Sequence, residues 1–383
     1  MNDIEWIVQN PSGGKRVIVT KKLPGERWIR ILAQADCRVE ICTSNRMLTP
    51  EEIKAAIGKK CDGVIGQLTE DWSGELFKIL KSAGGRVYSN YAVGYNNVDT
   101  DAATKQSIPV GNTPGVLTEA TAELAVSLTF AAARRIVEAD NFMRAGRYEG
   151  WLPTLFLGDL LWRKTVGVIG AGRIGSAYAR MMIEGHKMNL LYYSPHSNER
   201  LEDFVSRYGE FLESQGEEPI LCKRSTSMNE VFSEVDVVSL HPVLNDTTRH
   251  MINEASLSLM KENAILVNSS RGALIDEAAL VRHCQKHPDF KAALDVYEDE
   301  PDMKPGLKDL DNVVMVPHIG SATSWTRQGM ATLAAANLTG ILLGYPVWQR
   351  QDVGPFLGDH PPKAAPSIVN CTELNIPIYT EDG

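Results

Sequence analysis

The chain is poor in the features that secreted scaffolds, zinc modules and membrane proteins rely on. Its 383 residues hold only six cysteines (Cys37, Cys42, Cys61, Cys222, Cys284 and Cys371), and none forms a CxxC pair. That spacing argues against a disulfide framework and against a zinc site, so free thiols in a reducing compartment and no bound metal are expected. No apolar run approaches the roughly 20 residues that a membrane helix needs. Cationic excess is missing too. Lys and Arg number 39 against 48 Asp and Glu, a net charge of −9. A broad nucleic-acid face calls for clustered Lys and Arg and is disfavoured, whereas a locally positive site for a small anion is not. Nucleic acid and membrane are therefore not expected as partners. The start, Met1–Gln9, carries Asp3 and Glu5 and resembles neither a signal nor a transit peptide. The end, Tyr379–Gly383, is not a peroxisomal tripeptide.

What is present is an ordinary globular composition, 43% hydrophobic and 23% charged, long enough for about two domains. Short β-branched runs alternate with helical patterns. One series of expected strands comprises 16–20, 38–42, 63–65, 86–89 and 110–112. A second comprises 166–169, 190–193, 235–240, 264–268, 292–296 and 313–316. Strands separated by helices imply βαβ units, and two series imply two parallel sheets in two α/β domains. Leu124, Leu128 and Ala131 stand at helical spacing, so 118–146 reads as one long helix leaving the first domain. A late helix is expected over 324–343. The acidic stretch 210–218 reads as a loop. The proline-bearing tail from Gly344 reads as irregular chain, with Ser367-Ile368-Val369 returning to the first domain and making it discontinuous.

The sharpest motif is Gly170-Ala171-Gly172-Arg173-Ile174-Gly175, between the expected strand at 166–169 and a helix over 176–184. GxGxxG in a strand–turn–helix context is a dinucleotide site. The first glycine permits the turn, the second lets backbone approach a pyrophosphate, and the third lets helix pack on strand. The following strand would end in Asp or Glu to bind a ribose 2′-hydroxyl. Here the residue is Ser194, followed by Pro195, His196 and Arg200. Serine does not repel a 2′-phosphate, and His196 or Arg200 can pair with one. NADPH is thus allowed beside NADH.

Three ionisable residues follow expected strands: Arg271 in Asn268-Ser269-Ser270-Arg271-Gly272, Glu300 in Asp295-Val296-Tyr297-Glu298-Asp299-Glu300-Pro301, and His318 in Pro317-His318-Ile319-Gly320. Residues just beyond strand carboxyl ends line the ligand crevice of such sheets. A histidine serves as the acid in a carbonyl reduction, a carboxylate orients it and favours the imidazolium, and an arginine fork grips a substrate carboxylate. Spacing alone does not choose among Glu298, Asp299 and Glu300 as the partner carboxylate.

These motifs, together with Asn112-Thr113-Pro114-Gly115 and Pro317–Thr323, resemble the D-isomer-specific 2-hydroxyacid dehydrogenases. Within them the chain is similar to the plant-type hydroxypyruvate reductases, or glycerate dehydrogenases. The likeness extends to 61–72, 92–99 and 147–153 and covers about 15–375. The resemblance implies a Rossmann-type cofactor domain over 118–320, with a dimerisation region over 118–161. It also implies a discontinuous flavodoxin-like substrate domain from 1–117 and 321–383. It implies His318 as acid, Glu300 as its partner and Arg271 as carboxylate anchor. Val93 and Gly94 would offer backbone N–H groups to the substrate. Thr121, His241, Pro242, Ser269, Asp295 and Gly320 would line the cofactor site with Gly170, Gly172, Arg173, Ile174, Gly175 and Ser194. Trp151 would reach the other subunit of a homodimer. The implied reaction is NAD(P)H-dependent reduction of hydroxypyruvate to D-glycerate, and of glyoxylate to glycolate. A phosphoglycerate-type dehydrogenase, or an NAD(H)-sensing corepressor-like binding protein of the same fold, stands as the alternative. Plant members carry Asp at the position of Ser194 and end in a peroxisomal signal. This chain departs from them at both points, which leaves peroxisome, cytoplasm or another organelle open.

Overall fold

A computed structural model describes residues 4–380; Met1–Asp3 and the final Glu381–Gly383, which enter the readings of the two ends, lie outside the described residues. The chain divides into two compact units, one running to Leu117 and resuming at Ala322, the other spanning Thr118–Ser321. Both are α/β.

The first unit holds β1 (Trp6–Gln9), β2 (Lys15–Val19), β3 (Cys37–Cys42), β4 (Gly63–Gln67), β5 (Val87–Tyr91) and β6 (Val110–Gly111) in the order β1-β3-β2-β4-β5-β6. All pairs are parallel except β1 with β3. Without β1 this is the flavodoxin-like order. The central strands are buried throughout, as in Val17, Ile18, Val64, Ile65, Val87 and Tyr88, because helices cover both faces of such a sheet. The tail returns to this unit: Ile368 bridges Gly111, and the Val369 N–H donates to the Val110 carbonyl at 2.7 Å.

The second unit holds β7 (Thr165–Ile169), β8 (Asn189–Tyr193), β9 (Cys222–Ser225), β10 (Val237–Leu240), β11 (Ile265–Asn268), β12 (Lys291–Leu294) and β13 (Val313–Met315). Their order is β13-β12-β11-β10-β7-β8-β9, all parallel. This is the doubly wound Rossmann order with one added strand. Strand order reverses between β7 and β10, which opens a crevice at their carboxyl ends.

Two readings are corrected. The segment 118–146 is two helices, Thr118–Ala133 and Ile136–Arg144. Between them Arg135 takes a left-handed φ of 52°. The chain near Gly158 crosses the end of the first helix, and the Asp159 N–H takes the Ala133 carbonyl at 2.8 Å, ending its ladder. The acidic stretch 210–218 is mostly helix, the end of Glu199–Ser214, not a loop. Leu201, Val205 and Leu212 form its buried stripe, and the acids occupy the outer face. Strands β1 and β9 lie outside the expected set; both are edge strands, β9 polar (Cys-Lys-Arg-Ser) and β1 a four-residue strand (Trp-Ile-Val-Gln) whose Ile7 and Val8 are exposed.

Candidate active site

The glycine-rich turn sits at the crevice. Gly170 follows β7 with φ +92°, where other residues are strained, and a Cβ there would stand 2.7 Å from the Pro242 nitrogen and 2.8 Å from the His241 carbonyl carbon. A Cβ at Gly175 would overlap the Gly170 carbonyl oxygen, whereas Gly172 faces open space. The helix Arg173–His186 begins at Gly172 without any side-chain cap. Its first-turn N–H groups and positive dipole end are therefore available to an anion. Room at the one glycine where a pyrophosphate must approach is what a dinucleotide requires. Ser269, beyond β11, adds a buried hydroxyl with no hydrogen-bond partner among the described residues. The residues present fit the cofactor.

Behind the turn runs a buried polar chain that periodicity did not reveal. Thr129 donates to the Ala125 carbonyl at 2.7 Å and lies 2.9 Å from the Tyr178 hydroxyl. Ser239 partners Tyr178 in turn and stands 2.8 Å from His241 Nε2. Burial holds the His241 pKa down to about 3, so this ring is neutral near pH 7.

Three strand ends assemble the ionisable group. After β11, Asn268 Nδ2 donates to the Arg271 carbonyl at 2.9 Å, and Ser270 Oγ donates to the Pro242 carbonyl at 2.7 Å. Gly272 abuts the backbone of Tyr297 so closely that any Cβ would overlap it. Arg271 is thereby delivered beside the segment after β12. There the Glu300 carboxylate accepts the Tyr297 N–H at 3.0 Å, and its other oxygen lies 2.9 Å from His318 Nδ1. Glu298 instead pairs with His250 at 2.6 Å and Asp299 with Lys304 at 2.6 Å, so Glu300 is the carboxylate that meets the histidine. Burial pushes the Glu300 pKa up, but the His318 hydrogen bond and charge, the Tyr297 N–H and the Arg271 charge together hold it below the usual range. Burial lowers the Arg271 pKa, against the pull of Glu300.

Asp295 builds the loop that carries the histidine. Its carboxylate accepts the N–H groups of Ile319 at 2.6 Å and Gly320 at 2.8 Å, and its carbonyl accepts that of His318 at 2.9 Å. These bonds hold His318 at φ +52°, a conformation costly for a residue with a side chain. Burial raises the Asp295 pKa, and Ile319, His318 and Gly320 oppose it. A Cβ at Gly320 would lie 3.4 Å from Thr121, which places Thr121 against this loop. His318 Nε2 makes no hydrogen bond among the described residues.

In the first unit, the carbonyls of Val93 and Gly94 are held by Asn112 Nδ2 at 2.8 Å and Asn90 Nδ2 at 3.0 Å. Trp151 is 79% exposed, within a segment whose Leu152, Leu157 and Leu160 are also exposed. At the end of β8, Arg224 on β9 donates from Nη2 to the Ser194 carbonyl at 3.1 Å and the Pro195 carbonyl at 2.9 Å, a contact that the sequence did not signal. Asn198, also unforeseen, ties the same loop to the glycine turn through the Ala171 carbonyl at 2.8 Å. An Asn immediately before a helix was the available signal.

The family model "D-isomer specific 2-hydroxyacid dehydrogenase, NAD binding domain" matches residues 126–320. The chain is 62% identical to the glycerate dehydrogenase of Cucumis sativus over 96% of this chain and 97% of that protein. It is 39% identical to the glyoxylate reductase of Thermococcus litoralis over 86% and 94%, respectively. Among solved structures, the TT0316 protein of Thermus thermophilus superposes with a TM-score of 0.77 at 34% identity, covering 92% of this chain and 99% of that one. The chain belongs to the D-isomer specific 2-hydroxyacid dehydrogenases and carries their NAD-binding domain.

Proposed function

We propose that the chain reduces hydroxypyruvate to D-glycerate and, as a second substrate, glyoxylate to glycolate. The observation that carries this reading is the Glu300–His318 pair, 2.9 Å apart beside Arg271. The glycine-rich turn at Gly170–Gly175 and the uncapped start of the helix Arg173–His186 would hold NADH, which would supply the hydride for the carbonyl carbon. The chain's own groups then have three tasks. Arg271 grips the substrate carboxylate with its planar fork and polarises the adjacent carbonyl. His318 gives the oxygen its proton from Nε2, because Nδ1 is engaged by Glu300. Glu300 fixes the ring and stabilises its charged form until the proton leaves. Asp295 keeps the histidine loop in its strained turn.

The same reading includes a homodimer joined through 118–161. Its support is the run of exposed apolar side chains there, including Ile136, Met143, Trp151, Leu157 and Leu160, which water solvates poorly. Trp151 is then a residue of the partner's substrate pocket. The chain's likeness to the Cucumis glycerate dehydrogenase and the Thermococcus glyoxylate reductase supports both substrates.

Loss of nicotinamide absorbance at 340 nm, followed with hydroxypyruvate, glyoxylate and pyruvate, tests the reading. The expected order is hydroxypyruvate first and glyoxylate second. Inertness towards all three with NADH still bound would favour a sensing protein of the same fold.

A further inference from the structure

We infer that Ser367, in the tail that returns to the first unit, is a positioning residue for the substrate: through Asn112 it sets the direction of the Val93 and Gly94 N–H groups, which receive the oxo acid's carboxylate. The inference rests on reading the chain as a reductase of 2-oxo acids.

Val93 and Gly94 follow β5, at the carboxyl end of the first sheet, where open α/β sheets place their ligands. In a trans peptide the carbonyl and the next N–H point in opposite directions. The Ala92 carbonyl accepts the Thr113 N–H at 2.8 Å, which turns the Val93 N–H the other way. The Val93 carbonyl accepts from Asn112 Nδ2 at 2.8 Å, which does the same for the Gly94 N–H. Both residues are half-buried, and neither N–H has a hydrogen-bond partner among the described residues. Two successive N–H groups held in this way suit an anion.

The groups that do the holding are set by the tail. Asn112 and Asn337 are both buried. Asn337, on the helix Ser324–Leu342, donates from Nδ2 to the Asn112 carbonyl at 2.7 Å, and its Oδ1 accepts the Ser367 N–H at 2.7 Å. The Ser367 hydroxyl in turn donates to Asn112 Oδ1 at 2.6 Å. That bond decides which way the Asn112 amide faces. With Oδ1 on the serine, Nδ2 must face the Val93 carbonyl. Without the hydroxyl the amide can turn over, and its oxygen would then oppose that carbonyl. The tail docks without this hydroxyl, because the Val110 N–H donates to Asn370 Oδ1 at 2.9 Å and the Val369 N–H to the Val110 carbonyl at 2.7 Å. A bond dispensable for docking yet decisive for the loop's two donors acts on the ligand they face.

The test is steady-state reduction of hydroxypyruvate by the full chain, with inhibition by oxamate, NADH binding and thermal unfolding followed in parallel. For Ser367→Ala the expected result is a KM for hydroxypyruvate and a Ki for oxamate both raised about fivefold or more, with kcat and the NADH Kd held within about twofold. Ser367→Thr, which keeps the hydroxyl, should restore both constants. An unchanged KM in Ser367→Ala, or a KM that rises only together with the NADH Kd and a collapse in unfolding temperature, overturns the inference. A wild type that reduces no 2-oxo acid overturns the reductase reading and this inference with it; an active wild type indifferent to Ser367→Ala overturns this inference alone.

Discussion

Gly272 stands against the carbonyl of Tyr297 with no room for even a methyl group between them. This single approach locks the turn after β11 to the segment after β12, and so sets Arg271 beside Glu300.

The substitution Gly272→Ala must therefore push the two segments apart. The expected cost is about 1–3 kcal/mol of stability, as for other overpacked sites. The displacement also falls on Arg271, so KM for the oxo acid should rise more than the NADH Kd. Thermal unfolding and steady-state kinetics check both effects. An unshifted KM in a folded variant would mean that this contact does not position the arginine.

Glu300→Gln removes the carboxylate charge from His318 while keeping the shape. The folded Glu300 carboxyl titrates below its ordinary range, so it is ionised, and its pairing is intact, throughout neutral pH. That pairing is lost only as pH falls through the depressed pKa. Without the charge, the imidazolium is less favoured. The alkaline limb of the kcat/KM profile for reduction should move down by about one pH unit or more. An unmoved limb would show that Glu300 does not set the protonation of the acid.

His241 predicts a second pH effect, of different origin. Burial lowers its folded pKa to about 3, whereas the unfolded ring titrates near its ordinary value. Its neutral, hydrogen-bonded form thus contributes stability fully above the unfolded pKa. That contribution is lost as pH falls from about 6.5 towards 3, because the unfolded chain takes up the proton first. Urea midpoints from pH 7 to pH 4.5 should fall for wild type and fall less steeply for His241→Gln. Parallel curves would remove His241 from the account.

The extent to which the sequence was legible follows from the kind of signal each part gives. Most of the eleven anticipated strands are buried on both faces, so hydrophobicity alone marks them, while β3 shows through the alternation of Cys37, Val39 and Ile41 with Arg38 and Glu40. The polar edge β9 has no such mark, yet it brings Arg224 to Ser194, and β1 (Trp-Ile-Val-Gln) is apolar but too short and exposed to stand out. The glycine-rich turn was legible because its chemistry demands fixed spacing. The pairing of His318 with Glu300 rather than Glu298 was not legible from spacing. It depends on His250 and Lys304 occupying the neighbouring acids, and the His250 contact spans 48 residues of chain. The break at Arg135 was hidden because no Gly or Pro marks it before Gly146. What ends the helix is a distant segment taking the Ala133 carbonyl. The Thr129–Tyr178–Ser239–His241 chain likewise draws on three elements with no common motif.

The central claim is that the proton reaches the substrate oxygen from His318. The direct measurement is single-turnover reduction of hydroxypyruvate by His318→Gln, alongside its NADH Kd. The account predicts a rate lowered by about 10²–10⁴ with NADH affinity held within a few-fold. A rate within a few-fold of wild type would contradict it.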